Sequence, residues 1–116
     1  GVDYVLAKDL QASNLESTLE RMDQFLYQCD DTYITVCSDV FSSAFAPGVS
    51  APQSLGLDPE IVLPLIKHVL RTRKVRGFDI CEISPRFDQD NTTANLGAVI
   101  IFAVVNTLCR LNGLSI

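Results

Sequence analysis

Two short stretches carry the residue types that do chemistry: Cys37-Ser38-Asp39, and Asp79-Ile80-Cys81-Glu82 followed by Ser84-Pro85. Each comes at the end of an apolar, β-favouring run, Tyr33 to Cys37 and Val75 to Cys81. Ligands of an open α/β sheet bind beyond the carboxyl ends of its strands. Parallel strands share a direction, so Asp39 and Glu82 reach the same edge if these two strands are neighbours. Two carboxylates facing one cleft can hold a divalent metal or a cationic substrate. Acidic residues at strand ends also form turns and cap helices, and Cys37 and Cys81 also read as small buried residues, so spacing alone leaves both readings open. His68, the single histidine, lies mid-helix among apolar neighbours and near Lys67 and Arg71, and reads as structural or exposed. One histidine supports no Ser/His/Asp or Cys/His arrangement. Arg86, just after Pro85, is either an anion contact or a solvated side chain.

The elements that position these residues follow from periodicity and caps. Val2 to Ala7 reads as a strand, and Ser13 with Glu16 as a capping box opening a helix whose buried face is Leu15, Leu19, Met22 and Leu26. Tyr33 to Cys37 is a second strand, and Pro47, Gly48 and Pro52 stiffen the loop behind it. Asp58 as N-cap and Pro59 at the first helical position start the clearest helix, with Ile61, Val62, Leu65, Ile66, Val69 and Leu70 in a double row. Pro64 costs that helix one backbone bond. Val75 to Cys81 is a third strand, and Asn91 or Thr92 caps a last helix that ends before Gly113. The order β-α-β-α-β-α implies right-handed crossovers and a mostly parallel sheet in a three-layer α/β/α fold. Three strands are few for such a sheet, so the chain reads as part of a larger layer.

Composition narrows the partners. The 116 residues make at most one domain, and 47% hydrophobic with 20% charged content is globular. A net charge of -5 argues against nucleic acid and anionic membrane surfaces. Arg71, Arg73, Lys74 and Arg76 read as a helix C-terminus complementing its dipole. Four cysteines without a CxxC pair suggest a reducing, cytoplasmic setting and no disulfide framework. No signal-peptide pattern opens the given residues. The apolar run Leu96 to Val105 is half the ~20 residues that span a bilayer and reads as a buried helix.

The segment YITVCSDVFSSAFAPGVSAP, together with GFDICEISPRFDQDNTTA, resembles the carboxyl-terminal half of the ureohydrolase family of arginases, agmatinases and formimidoylglutamases. In that family a strand ends in a Ser-x-Asp-x-Asp motif before an Ala-Pro-Gly loop, and a later strand ends in Asp-Ile-x-Glu. The Ala46 to Pro52 loop is most similar to formimidoylglutamases. The resemblance implies an arginase-like fold of which this chain, residues 1-116, is the carboxyl-terminal fragment. It implies Asp39 as a manganese ligand, Glu82 facing the amidine of the substrate, Ser50 in the wall of the cleft, and structural roles for Asp88 and Thr93. The implied chemistry is hydrolysis of a small linear amidine, N-formimidoyl-glutamate, to glutamate and formamide in histidine breakdown, by water activated between two manganese (Mn2+) ions.

Cys37 stands where the family has its first aspartate, a further metal ligand. A thiolate suits softer metals than manganese, which puts the second metal in doubt. Cys37 ligates a metal, serves as a redox-sensitive neighbour, or fills space. The family's histidine ligand and Asp-Ala-His-x-Asp motif have no counterpart in these residues. The expectation is therefore a parent protein of roughly 300 residues, a cytoplasmic homo-oligomer, with this portion inactive until joined to its amino-terminal half. The alternatives are agmatinase or another ureohydrolase, a non-catalytic ureohydrolase-like assembly protein, and a self-sufficient flavodoxin-like module.

Overall fold

Asp58 and Pro59 start a helix as their sequence requires. Asp58 stays extended at φ -81° and ψ 135°, its carboxylate accepts the Glu60 N–H at 2.8 Å, and helix α2 runs Pro59–Arg71 without interruption at Pro64. The computed structural model describes residues 1–114. Strands β1 (Thr32–Cys37) and β2 (Val75–Cys81) flank α2 in sequence and pair in parallel, with Val36 opposite Ile80 and Cys37 opposite Cys81. Alternate residues Ile34, Val36, Phe78 and Ile80 turn to one face, where they meet Phe41, Ile66, Leu70 and Ile100. Phe41 and Leu70 are each 1% exposed, and full burial of such side chains stabilises by about 1.5–3 kcal/mol apiece. Helix α3 (Thr92–Leu111) packs beside α2 and sends Thr93, Gly97, Ile100 and Val104 into the same core. Helix α1 (Leu15–Tyr27) lies against α2, and Asp23 Oδ1 meets His68 Nε2 at 2.5 Å across that contact. His68 is thus a tie between helices, as its position suggests.

Three expectations need correction. Val2 to Ala7 is not a strand: among the described residues the sheet has two strands, and the amino-terminal segment is exposed chain leading into a 3-10 turn, Ala7–Asp9. The physical reason is distance: a strand forms only where it meets another strand's free N–H and C=O groups within hydrogen-bond reach, and this segment makes no such pairing with the open edge of β1. The segment instead faces β1 across an open apolar groove of about 430 Å3, with Tyr4 and Val5 on one side and Tyr33 and Ile34 on the other. The capping box lies at Gln11 and Asn14, not Ser13 and Glu16, because a 3-10 turn over Ala12–Asn14 absorbs Ser13. Helix α3 is buried on one face only: Val99, Phe102 and Val105 are exposed, although its length and mean hydropathy of 1.7 match those of a membrane span. The described order is therefore α-β-α-β-α.

Candidate metal and substrate edge

At the carboxyl edge of the sheet β1 passes into a 3-10 turn, Ser38–Val40, anchored by the buried Ser38. That turn holds Asp39 half-buried, and its Oδ1 is fully buried with no hydrogen-bond partner. A buried acceptor left unsatisfied costs about 1–3 kcal/mol, so the position suits a cation. Glu82 leaves β2 at the same edge, one residue beyond the Cys37–Cys81 pair. Its side chain is exposed, and its backbone adopts φ 66°. The left-handed region costs a non-glycine residue roughly 1–2 kcal/mol and is enriched at functional positions. The two carboxylates are thus brought to one edge. They do not line the apolar grooves of about 430 and 360 Å3, and neither does Ser50.

The loop carrying Ser50 is fixed to the exit of β2 by a small polar frame. The Gly48 N–H donates to the buried Thr93 hydroxyl oxygen at 2.7 Å, and the Ser84 N–H donates to the Gly48 carbonyl at 2.7 Å. Asp88 accepts from the N–H groups of Gln89, Thr93 and Ala94 at 2.9, 2.9 and 3.0 Å. Burial pushes the Asp88 carboxyl up, but the hydrogen bonds from Thr93 and Ala94 outweigh it and hold the carboxyl below its usual 3.8. Only glycine fits at 48, because a Cβ there would come within 2.7 Å of the Asp88 Cβ. Asn91 is the N-cap residue of α3, as expected, but it is left-handed and makes no side-chain cap bond; Asp88 supplies the accepting carboxylate in its place. Asp88 and Thr93 are structural, and Ser50 rides on the frame they build.

Cys37 and Cys81 face each other in register, both half-buried. Desolvation first, then the neighbouring Cys37 and Asp79, pushes the Cys81 thiol up, and its Sγ donates to the Val36 carbonyl at 3.7 Å. Cys37 is the sulfur donor nearest Asp39 in the chain. Among the described residues no group of three or more His, Cys, Asp or Glu side chains gathers to hold a metal. One polar set escaped the sequence reading. On the sheet face away from the core, Thr35 donates to Asp79 Oδ2 at 3.2 Å, and the Tyr33 phenol is raised chiefly by its hydrogen bond to Asp79. Its signal was the polar alternation of Tyr33, Thr35 and Cys37 with Ile34 and Val36.

A parallel α/β layer with acidic side chains at its carboxyl edge, followed by a glycine-pinned loop, defines the class of α/β proteins that place their chemistry beyond the strand ends. The chain belongs to the Arginase family, whose sequence profile matches residues 1–106. It is 56% identical to a formimidoylglutamase of Clostridium tetani over 116 residues, all of this chain and 34% of that protein. Among solved structures it is similar to the proclavaminate amidino hydrolase of Streptomyces clavuligerus, with a TM-score of 0.83 and 31% identity over 95% of this chain and 37% of that one. It is also similar to the formimidoylglutamase of Bacillus subtilis, with a TM-score of 0.84 and 22% identity over 92% of this chain and 34% of that one, a likeness of fold. The fold is the α/β fold of arginases, and the chain spans about a third of the length of the curated relatives it matches.

Proposed function

We propose that residues 1–116 are the carboxyl-terminal third of a cytoplasmic, homo-oligomeric formimidoylglutamase that hydrolyses N-formimidoyl-glutamate to glutamate and formamide in histidine degradation. The observation that carries this reading is the 56% identity to the C. tetani formimidoylglutamase along the whole chain, which includes Asp39 and Glu82 at one sheet edge. The fit to a metal is supported by the orphaned Asp39 Oδ1 and by the Cys37 sulfur, the two donors this chain offers. Two manganese ions, when bound, supply a lowered water pKa and a positive charge that stabilises the tetrahedral intermediate. Asp39 holds one ion through its carboxylate, and Cys37 offers a softer donor that weakens the second site. Glu82 binds the amidinium by charge-assisted hydrogen bonds and orients its carbon. Ser50 lines the substrate cleft, and the remaining ligands come from the other two thirds of the protein, without which this portion is inactive.

The test is hydrolysis by the whole protein, loaded with manganese, of formimidoyl-glutamate, agmatine and arginine. Preference for formimidoyl-glutamate supports the reading, and consumption of agmatine instead reassigns the substrate. Cys37 in place of a carboxylate favours a second reading, a non-catalytic assembly protein of the same fold. Metal analysis separates the two: an enzyme retains at least one tightly held ion per chain, and less than one supports the assembly protein.

A further inference from the structure

Helix α2 runs back from the carboxyl edge, so its last turn lies at the amino edge of the sheet, opposite Asp39 and Glu82. There Lys67 and Arg71 of α2 and Arg110 of α3 line a cleft of about 210 Å3 together with Asn106, Thr107 and Leu111. Among the described residues no carboxylate lines it. The ion pairs among the described residues lie elsewhere, at Arg21–Asp3, His68–Asp23 and Arg76–Asp31. A chain of net charge -5 has thus gathered three cations around one concavity. Like charges gathered around one cleft repel, so the arrangement favours an anion between them.

Complementing the helix dipoles explains part of this arrangement only. Arg71 and Arg110 sit in the last turns of their helices, where a cation is favourable. The free carbonyls at the end of α3 are nevertheless already served. Arg73 donates to the Leu111 carbonyl at 2.6 Å, and the Asn112 side chain donates to that of Leu108 at 2.8 Å. Lys67 stands a full turn before the end of α2, too early to act on that terminus. Its half-buried side chain lines the cleft with the two arginines.

We propose that this cleft binds the phosphate group of a small molecule, or free phosphate, as a dianion held by Lys67, Arg71 and Arg110. Two planar guanidinium forks and an ammonium match the oxygens of a phosphate, and Asn106 adds a neutral donor. The site lies at the other edge of the sheet from the residues of the proposed hydrolysis and does not depend on it. The test is calorimetric titration of the whole protein at low ionic strength with inorganic phosphate and, separately, with glycerol 3-phosphate, using sodium chloride as the control for charge alone. The expected result is one site per chain with a Kd between about 10 μM and 1 mM. The source is free phosphate if the inorganic ion binds more tightly, and a phosphate ester if the ester does. Arg71→Gln with Arg110→Gln weakens binding at least tenfold, as does Lys67→Met, which guards against misfolding of the double variant. Each variant keeps the wild-type melting midpoint. The absence of saturable binding, or equal binding by wild type and variants, overturns the proposal.

Discussion

Asp39 and Glu82 each bear a cost that the fold alone does not justify. Asp39 buries an oxygen without a partner, and Glu82 holds a left-handed backbone. Removing the first cost should stabilise the metal-free whole protein: Asp39→Ala is expected to raise its unfolding free energy by about 1 kcal/mol while lowering tightly bound manganese. Urea unfolding with metal analysis checks both, and a destabilised variant with unchanged metal content would show Asp39 to be structural. For Glu82 two substitutions divide charge from conformation. Glu82→Gly relaxes the backbone and should leave the unfolding free energy level or raised by up to about 1 kcal/mol, and Glu82→Gln keeps the strain. Both should cut turnover of formimidoyl-glutamate by a factor on the order of 100 or more. Activity retained by either variant would remove Glu82 from the reaction. The positions of both residues were legible from strand ends alone, because parallel strands share an edge. Their costs were not, because an orphaned oxygen and a positive φ arise from tertiary constraint and leave no mark in spacing.

At the scale of elements, the frame joining Gly48, Ser84, Asp88 and Thr93 carries the Ser50 loop and starts α3 at once. Gly48→Ala forces a Cβ against Asp88, so the whole protein should lose about 1–3 kcal/mol of stability, read as a lower thermal midpoint. Asp88→Asn tests the same frame by pH. The folded carboxyl lies below its usual 3.8, so its contribution is complete above that value and disappears as pH falls through the folded pKa. The stability gap between wild type and Asp88→Asn should therefore be widest near neutrality and close as pH falls below the usual 3.8 and through the lowered folded pKa. A gap independent of pH would show that the carboxylate charge is not what caps α3. The start of α2 was legible to the residue, since Asp58-Pro59 is a local signal satisfied by local atoms. The position of the α3 N-cap at Asn91 was legible too, but its side-chain acceptor was not, because Asp88 reaches five and six residues forward from a loop whose path is set by Gly48. The strand expected over Val2 to Ala7 failed for a related reason: helices close their own hydrogen bonds, and strands borrow a neighbour's.

For the molecule as a whole, the apolar surface left open bears on whether these residues stand alone. The outer side of α3 presents Val99, Phe102 and Val105, with Phe102 61% exposed. The sheet face bearing Tyr33, Thr35 and Asp79 has no layer over it among the described residues, and parallel sheets are ordinarily covered on both faces. The exposed apolar side of α3 drives association unless another part of the protein covers it, and two parallel strands leave two free edges ready to pair. The isolated 116-residue polypeptide should therefore associate beyond a monomer at tens of micromolar, a range typical of exposed-strand aggregation, and bind a hydrophobic dye. Sedimentation velocity provides the measurement, and Phe102→Glu with Val105→Lys should shift the distribution toward monomer if α3 contributes. A monodisperse monomer with a cooperative melt would instead show that these residues fold without the rest of the protein. It would also remove the reason for assigning the missing layer and the missing metal ligands to the same absent two thirds of the protein.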